Sequence, residues 1–73
     1  MQINKDTKVF GSFSSTPGNN GCNYFNARFQ EEGINAIYKS FKGTDPMALT
    51  SSSRTLSFSG FALSMPLKIV YLI

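Results

Sequence analysis

The sequence predicts an α/β fold: a partial three-layer sandwich with a mostly parallel sheet, ordered strand-helix-strand-helix-strand and incomplete at its end. Three observations carry this. Short β-branched and aromatic runs recur at Lys8–Phe13, Asn35–Phe41 and around Phe61-Ala62-Leu63. Segments with helix-entry and helix-exit residues separate them, and no repeat or low-complexity tract interrupts the order. Alternating elements of this kind build a sheet covered by its own crossover helices, and such crossovers are expected to be right-handed.

Each element has a local reason. KVFGSF, Lys8 to Phe13, alternates loosely and is rich in residues that suit a pleated surface, so it reads as the first strand. Ser14 to Gly21 (SSTPGNNG) is dense in turn formers and reads as a loop. Asn19 or Asn20 can cap a helix whose apolar side is Cys22, Phe25 and Phe29, and Gly33 fits the left-handed position just past its end. In Asn35 to Phe41, Ala36, Tyr38 and Ser40 alternate with Ile37, Lys39 and Phe41, as a second strand requires.

Gly43-Thr44-Asp45-Pro46 signals a second helix, with Thr44 as cap, Asp45 as a first-turn carboxylate and Pro46 in the first turn. Thr50-Ser51-Ser52-Ser53 then opposes helix, because short hydroxyl side chains compete for the backbone. The third strand is therefore expected to begin as early as Thr55. It should stop at Pro66, which lacks a ladder donor and can instead open a further helix. The tail Val70-Tyr71-Leu72-Ile73 equally suits an edge strand, open to pairing with a second copy.

Composition bounds the function. Seventy-three residues, 41% hydrophobic and 14% aromatic, describe one globular domain over residues 1–73, expected to be incomplete at its C-terminus. The net charge of +3 comes from bases that never form a run, which argues against nucleic acid. One cysteine, Cys22, and no histidine exclude an internal disulfide, His-dependent triads and the usual zinc sites within this chain. The N-terminus MQINKDTK lacks a signal-peptide core, and the apolar end from Phe61 is too short to span a bilayer. The expected location is cytoplasmic, without membrane attachment.

Three residues stand out chemically. Lys68, two places after Pro66, would sit near a strand-to-helix junction at the carboxyl end of a strand, where open α/β sheets place ligand-handling groups. An ammonium at the mouth of a pocket can donate to a hydroxyl or carbonyl oxygen and, partly desolvated, exchange protons. Ser64 adds a hydroxyl ahead of the same proline. Ser14 lies in a hydroxyl-rich stretch, Ser12 to Thr16, that can cradle a carboxylate beside a helix N-terminus. Gly11 to Gly21 has neither GxxxxGK[ST] nor GxGxxG spacing, so it is no phosphate loop. Glu31 and Glu32 are adjacent on a helix and face different directions.

Together these residues resemble the substrate-binding, N-terminal part of the shikimate dehydrogenase family, and most closely its shikimate dehydrogenase-like branch. The resemblance runs from about residue 3 to residue 68. It rests on the loop Phe13 to Gly21, the pair Phe25-Asn26, the strand segment Ile37-Tyr38-Lys39, and above all the Ser64-Met65-Pro66-Leu67-Lys68 segment. It implies that Lys68 is the catalytic lysine, that Ser64 and Ser14 contact substrate, and that Asn26 is a structural hydrogen-bonder. It further implies an oxidoreductase acting on a shikimate-like cyclic hydroxy acid. The NADP and a partner aspartate would be held outside these residues. Ala62, where the main branch carries a substrate-binding asparagine, points to the like-branch, and Phe25 stands in place of a histidine. Ile69 stands where an acidic residue often follows the lysine. The rival expectation is a small interaction module, inactive as an enzyme, that oligomerises through its apolar tail.

Overall fold

A computed structural model describes residues 2–64 and 68–72, the last five as backbone. The elements are β1 (Lys8–Ser14), α1 (Asn20–Glu31), β2 (Ala36–Lys42), α2 (Pro46–Thr55), β3 (Gly60–Ser64) and β4 (Lys68–Leu72). They form one four-stranded sheet in the order β2-β1-β3-β4. β1 pairs in parallel with both β2 and β3, and β4 adds antiparallel to β3. The expected mostly parallel α/β sheet is therefore present.

Strand alternation divides the sheet into two faces. Register aligns Val9, Gly11 and Phe13 with Ile37, Lys39 and Phe41 on one side and places Phe61 and Leu63 opposite Gly11 and Phe13 on the other. That face carries the core: Phe13, Phe58, Phe61 and Leu63, with Val9, Phe41 and Leu49 of α2 packed against it. Phe13 is its hub, with ring centroids 5.4, 6.2 and 6.0 Å from Phe41, Phe58 and Phe61. The opposite face carries Phe10, Ser12, Ser14, Tyr38, Ser40, Ala62 and Ser64, and α1 lies against its β2 side. Phe29 reaches Phe10 at 5.8 Å between centroids, and Cys22 Sγ lies 3.3 Å from Ser40 Oγ.

α1 follows its sequence signals at one end only. Asn19 occupies the N-cap position but makes no side-chain cap bond. At the other end Gly33 takes φ +65°, Gly33 N–H donates to Gln30 O and Ile34 N–H to Phe29 O. This is the paired closure that a left-handed residue after the helix permits. The expected apolar side is only partly covered. Cys22 and Phe29 are half-buried, whereas Phe25 is 42% exposed and contacts Tyr24 and Tyr38 at the sheet margin. Phe25 is thus not a core residue: β2 is an outermost strand, with no further strand beside it among the described residues.

α2 corrects three expectations. The cap is Asp45, not Thr44: its Oδ1 accepts from Met47 N–H at 3.1 Å and Ala48 N–H at 3.3 Å, with Pro46 as the first helical residue. Proline at that position fixes φ for the helix and asks for no donor partner, so the preceding residue becomes the cap. The helix also continues through the serine run to Thr55, and the third strand begins at Gly60 rather than near Thr55. Packing of Leu49 against the core outweighs the weak helix propensity of hydroxyl residues, and does so although the buried Ser53 Oγ has no hydrogen-bond partner among the described residues. The helix ends as α1 does, with Ser57 N–H donating to Arg54 O and Phe58 N–H to Ser53 O, but here the left-handed residue is Ser57, at φ 59°.

The chain past Ser64 gives a fourth correction. Residues 65–67 lie outside the described residues, so the junction expected at Pro66 is not described. From Lys68 the backbone is a strand, not the start of a helix, as the edge-strand alternative required.

Candidate functional site

β1 lies in the middle of the parallel strands, and its two neighbours are reached by crossovers running in opposite directions, β1 to β2 through α1 and β2 to β3 through α2. Connections that diverge in this way open a crevice at the carboxyl ends of the strands, where open α/β sheets bind ligands. The residues at that edge are the ends of β1, β2 and β3, and they form a row. Ser14 is paired in register with Lys42 of β2. Ser64 follows Leu63, the partner of Phe13, and so stands beside Ser14, while on its other side it is paired with Lys68 of β4. Across the sheet the row reads Lys42, Ser14, Ser64, Lys68.

The hydrogen bonds show what each hydroxyl is committed to. Ser64 Oγ donates to Phe13 O at 3.2 Å, which ties β3 to the end of β1 and leaves the oxygen's lone pairs for a donor. Ser14 Oγ accepts from Thr16 N–H at 3.2 Å, a turn that starts the loop toward α1, and its own proton is free to be given to an acceptor. The backbone carbonyl of Ser14 accepts from Gly43 N–H at 3.1 Å. Deeper in the same face Ser12 Oγ lies 3.4 Å from Ser40 Oγ, which in turn contacts Cys22 Sγ. Cys22 is therefore not a plain packing residue but the end of a hydroxyl-thiol chain under α1.

Asn26 fixes the helix over this layer. Its side-chain amide donates to Tyr38 O and its carbonyl accepts from Tyr38 N–H, both at 2.8 Å. The implied role of structural hydrogen-bonder is what the geometry shows.

The sequence-predicted residues thus divide. Ser14 and Ser64 are brought together at one edge, and the backbone of Lys68 is paired with Ser64; the Lys68 side chain lies outside the described residues. Sequence reasoning missed Ser40 and Lys42 as neighbours of the site, because only strand register places them beside Ser12 and Ser14. Two hollows bordered by described residues lie away from this edge. One of about 500 Å³ lies along α2, lined by Met47, Thr50 and Arg54 among others, and one of about 360 Å³ at the outer margin of β2 includes Asn26 and Tyr38. Neither touches Ser14 or Ser64.

Among the described residues no group of three metal-ligating side chains occurs, and no helix is long and apolar enough to cross a membrane. The β1–α1 turn does not fit a nicotinamide dinucleotide. Thr16 stands where the first glycine of a GxGxxG turn is needed for the tight bend, although Gly18 and Gly21 keep the spacing of the later two.

The chain is an α/β unit whose sheet has a hydroxyl-lined edge at the point where its crossovers diverge. No family model matches the chain. It is nevertheless homologous to the shikimate dehydrogenase-like protein of Haemophilus influenzae, with 39% identity over 66 residues that cover 90% of this chain and 24% of that protein. The solved structure of a shikimate 5-dehydrogenase-like protein matches with a TM-score of 0.84 and 38% identity, over 89% of this chain and 24% of that one. The fold is also that of shikimate 5-dehydrogenase from Listeria monocytogenes, solved in complex with shikimate and NAD, at a TM-score of 0.78 and 20% identity over 90% of this chain. The chain spans about a quarter of the length of each of these relatives.

Proposed function

We propose that these residues form the substrate-binding part of an oxidoreductase of the shikimate dehydrogenase kind. The row at the carboxyl edge of the sheet would hold a cyclic hydroxy acid. The free proton of Ser14 donates to the substrate carboxylate and Ser64 accepts from a ring hydroxyl. The amine of Lys68 takes the proton of the hydroxyl that is oxidised and returns it in the reverse direction. The nicotinamide, assigned to NADP in this reading, belongs to residues other than these 73. The observation that carries the proposal is the placement of Ser14, Ser64 and Lys68 side by side at the edge where the crossovers diverge.

The test is binding first, then chemistry. Shikimate titrated into the isotopically labelled chain is expected to shift the amide resonances of Ser14 and Ser64 before those of α2. No shift at that edge overturns the reading. In a chimaera where these residues replace the matching quarter of the Haemophilus influenzae relative, Lys68→Met is expected to lower kcat for shikimate oxidation about 10²- to 10⁴-fold, the usual contribution of a positioned acid-base group. An unchanged kcat removes the proton-transfer role.

One observation favours a second reading, an interaction module: β4 ends the sheet with no further strand beside it among the described residues. A stable oligomer by size-exclusion mass measurement, with no response to shikimate, selects that reading instead.

A further inference from the structure

We infer that Lys42 is a further binding residue of this edge, a cation that holds the carboxylate of the ligand together with Ser14. The inference rests on the proposed function and extends it by one residue. Three observations place Lys42 there. It is the register partner of Ser14 in a parallel pair, so the two side chains leave the same face of the sheet, one strand spacing of about 4.8 Å apart. Its backbone is pinned: Gly43 N–H donates to Ser14 O, and a Cβ at Gly43 would come within 2.8 Å of Leu49 Cδ2, so the strand end is clasped between β1 and α2. Its charge is also uncommitted. Lys5 pairs with Asp6 and Arg28 with Glu32, and Lys39 lies over the Phe41 ring at 4.2 Å while donating to Ser40 O. Among the described residues Lys42 has no carboxylate within ion-pair reach, and the nearest in sequence, Asp45, spends its Oδ1 on the α2 cap.

The chemistry follows from that geometry. A serine hydroxyl gives the carboxylate one hydrogen bond from an uncharged donor. An ammonium beside it adds a second, to the other carboxylate oxygen, in which both partners are charged, and brings direct attraction between the two charges. The exposed position of Lys42 also lets it attract an anion from solution, an effect that salt weakens. The row then has a polarity: the carboxylate end of the ligand belongs at Lys42 and Ser14, the reacting hydroxyl toward Ser64 and Lys68.

The experiment titrates three probes, shikimate, its methyl ester and cyclohexanecarboxylate, into the chain and into Lys42→Gln and Lys42→Arg, following amide resonances. The same spectra report whether each variant is folded. Lys42→Gln is expected to weaken shikimate 5- to 30-fold, to leave the ester within twofold, and to be largely rescued by Lys42→Arg; raising salt should narrow the difference. Shikimate bound equally by the chain and Lys42→Gln overturns the role of Lys42 and leaves the proposed function standing. Lys42-dependent binding of cyclohexanecarboxylate without any response to shikimate supports the carboxylate site and overturns the substrate reading. Absence of binding by all three probes overturns both.

Discussion

The two faces of the sheet are built from opposite materials. Beneath α2, four aromatic rings and Leu63 close on one another, and Leu63 is 1% exposed. Beneath α1, the same three strands keep Phe10, Ala36 and Tyr38 toward one end but turn Ser12, Ser14, Ser40, Ala62 and Ser64 toward the carboxyl edge, and the helix above has no fully buried residue. In a chain of 73 residues a single apolar layer must supply most of the folding free energy. Concentrating it on one face frees the other for hydroxyl groups, whose burial contributes little to stability and whose hydrogen bonds can serve a ligand. The difference teaches that the carboxyl edge under α1 can be polar because most of the hydrophobic burden lies on the far side of the sheet.

The largest perturbation should come from the apolar face. Leu63→Ala is expected to cost about 2–5 kcal/mol by loss of transfer energy plus the cavity left behind. That is a large part of the stability of a domain this size, roughly 0.05–0.15 kcal/mol per residue. Urea unfolding should show a strongly lowered midpoint; a small shift would mean that the phenyl cluster is not the main support. On the polar face Asn26→Ala is expected to cost about 1–3 kcal/mol, because two half-buried backbone groups of Tyr38 lose their partner. Hydrogen exchange should then rise at Tyr38 while Leu63 keeps its relative protection; equal loss at both would erase the distinction between the faces. The smallest effect is a gain. Ser57→Gly relieves the left-handed backbone that closes α2, worth about 1–2 kcal/mol, partly offset by the greater unfolded-state freedom of glycine. A net rise of a few tenths to about 1 kcal/mol should appear as a higher urea midpoint.

How far the sequence discloses this molecule depends on whether the deciding interaction is local. Gly33 marks the end of α1 because only glycine takes that backbone without strain, so the residue type announces the turn. Ser57 performs the same closure at the end of α2 and announces nothing, since its strain is offset by the buried Phe58 that follows. The cap at Asp45 was one residue from the expected Thr44, an error set by reading Pro46 as part of the first turn rather than as its first residue. β1 and β2 were legible from alternation. The antiparallel turn-back of β4 was not, because Pro66 is compatible with either a helix start or a strand break. Ser14 and Ser64 could each be picked out by their position at a strand end. That they are neighbours, and that Lys42 stands in the same row, is a property of register, which joins residues up to 50 positions apart and leaves no trace in local composition.

The amide of Asn26 occupies both backbone groups of Tyr38 from outside, as a neighbouring strand otherwise would, so at that residue the β2 margin is closed to an incoming strand.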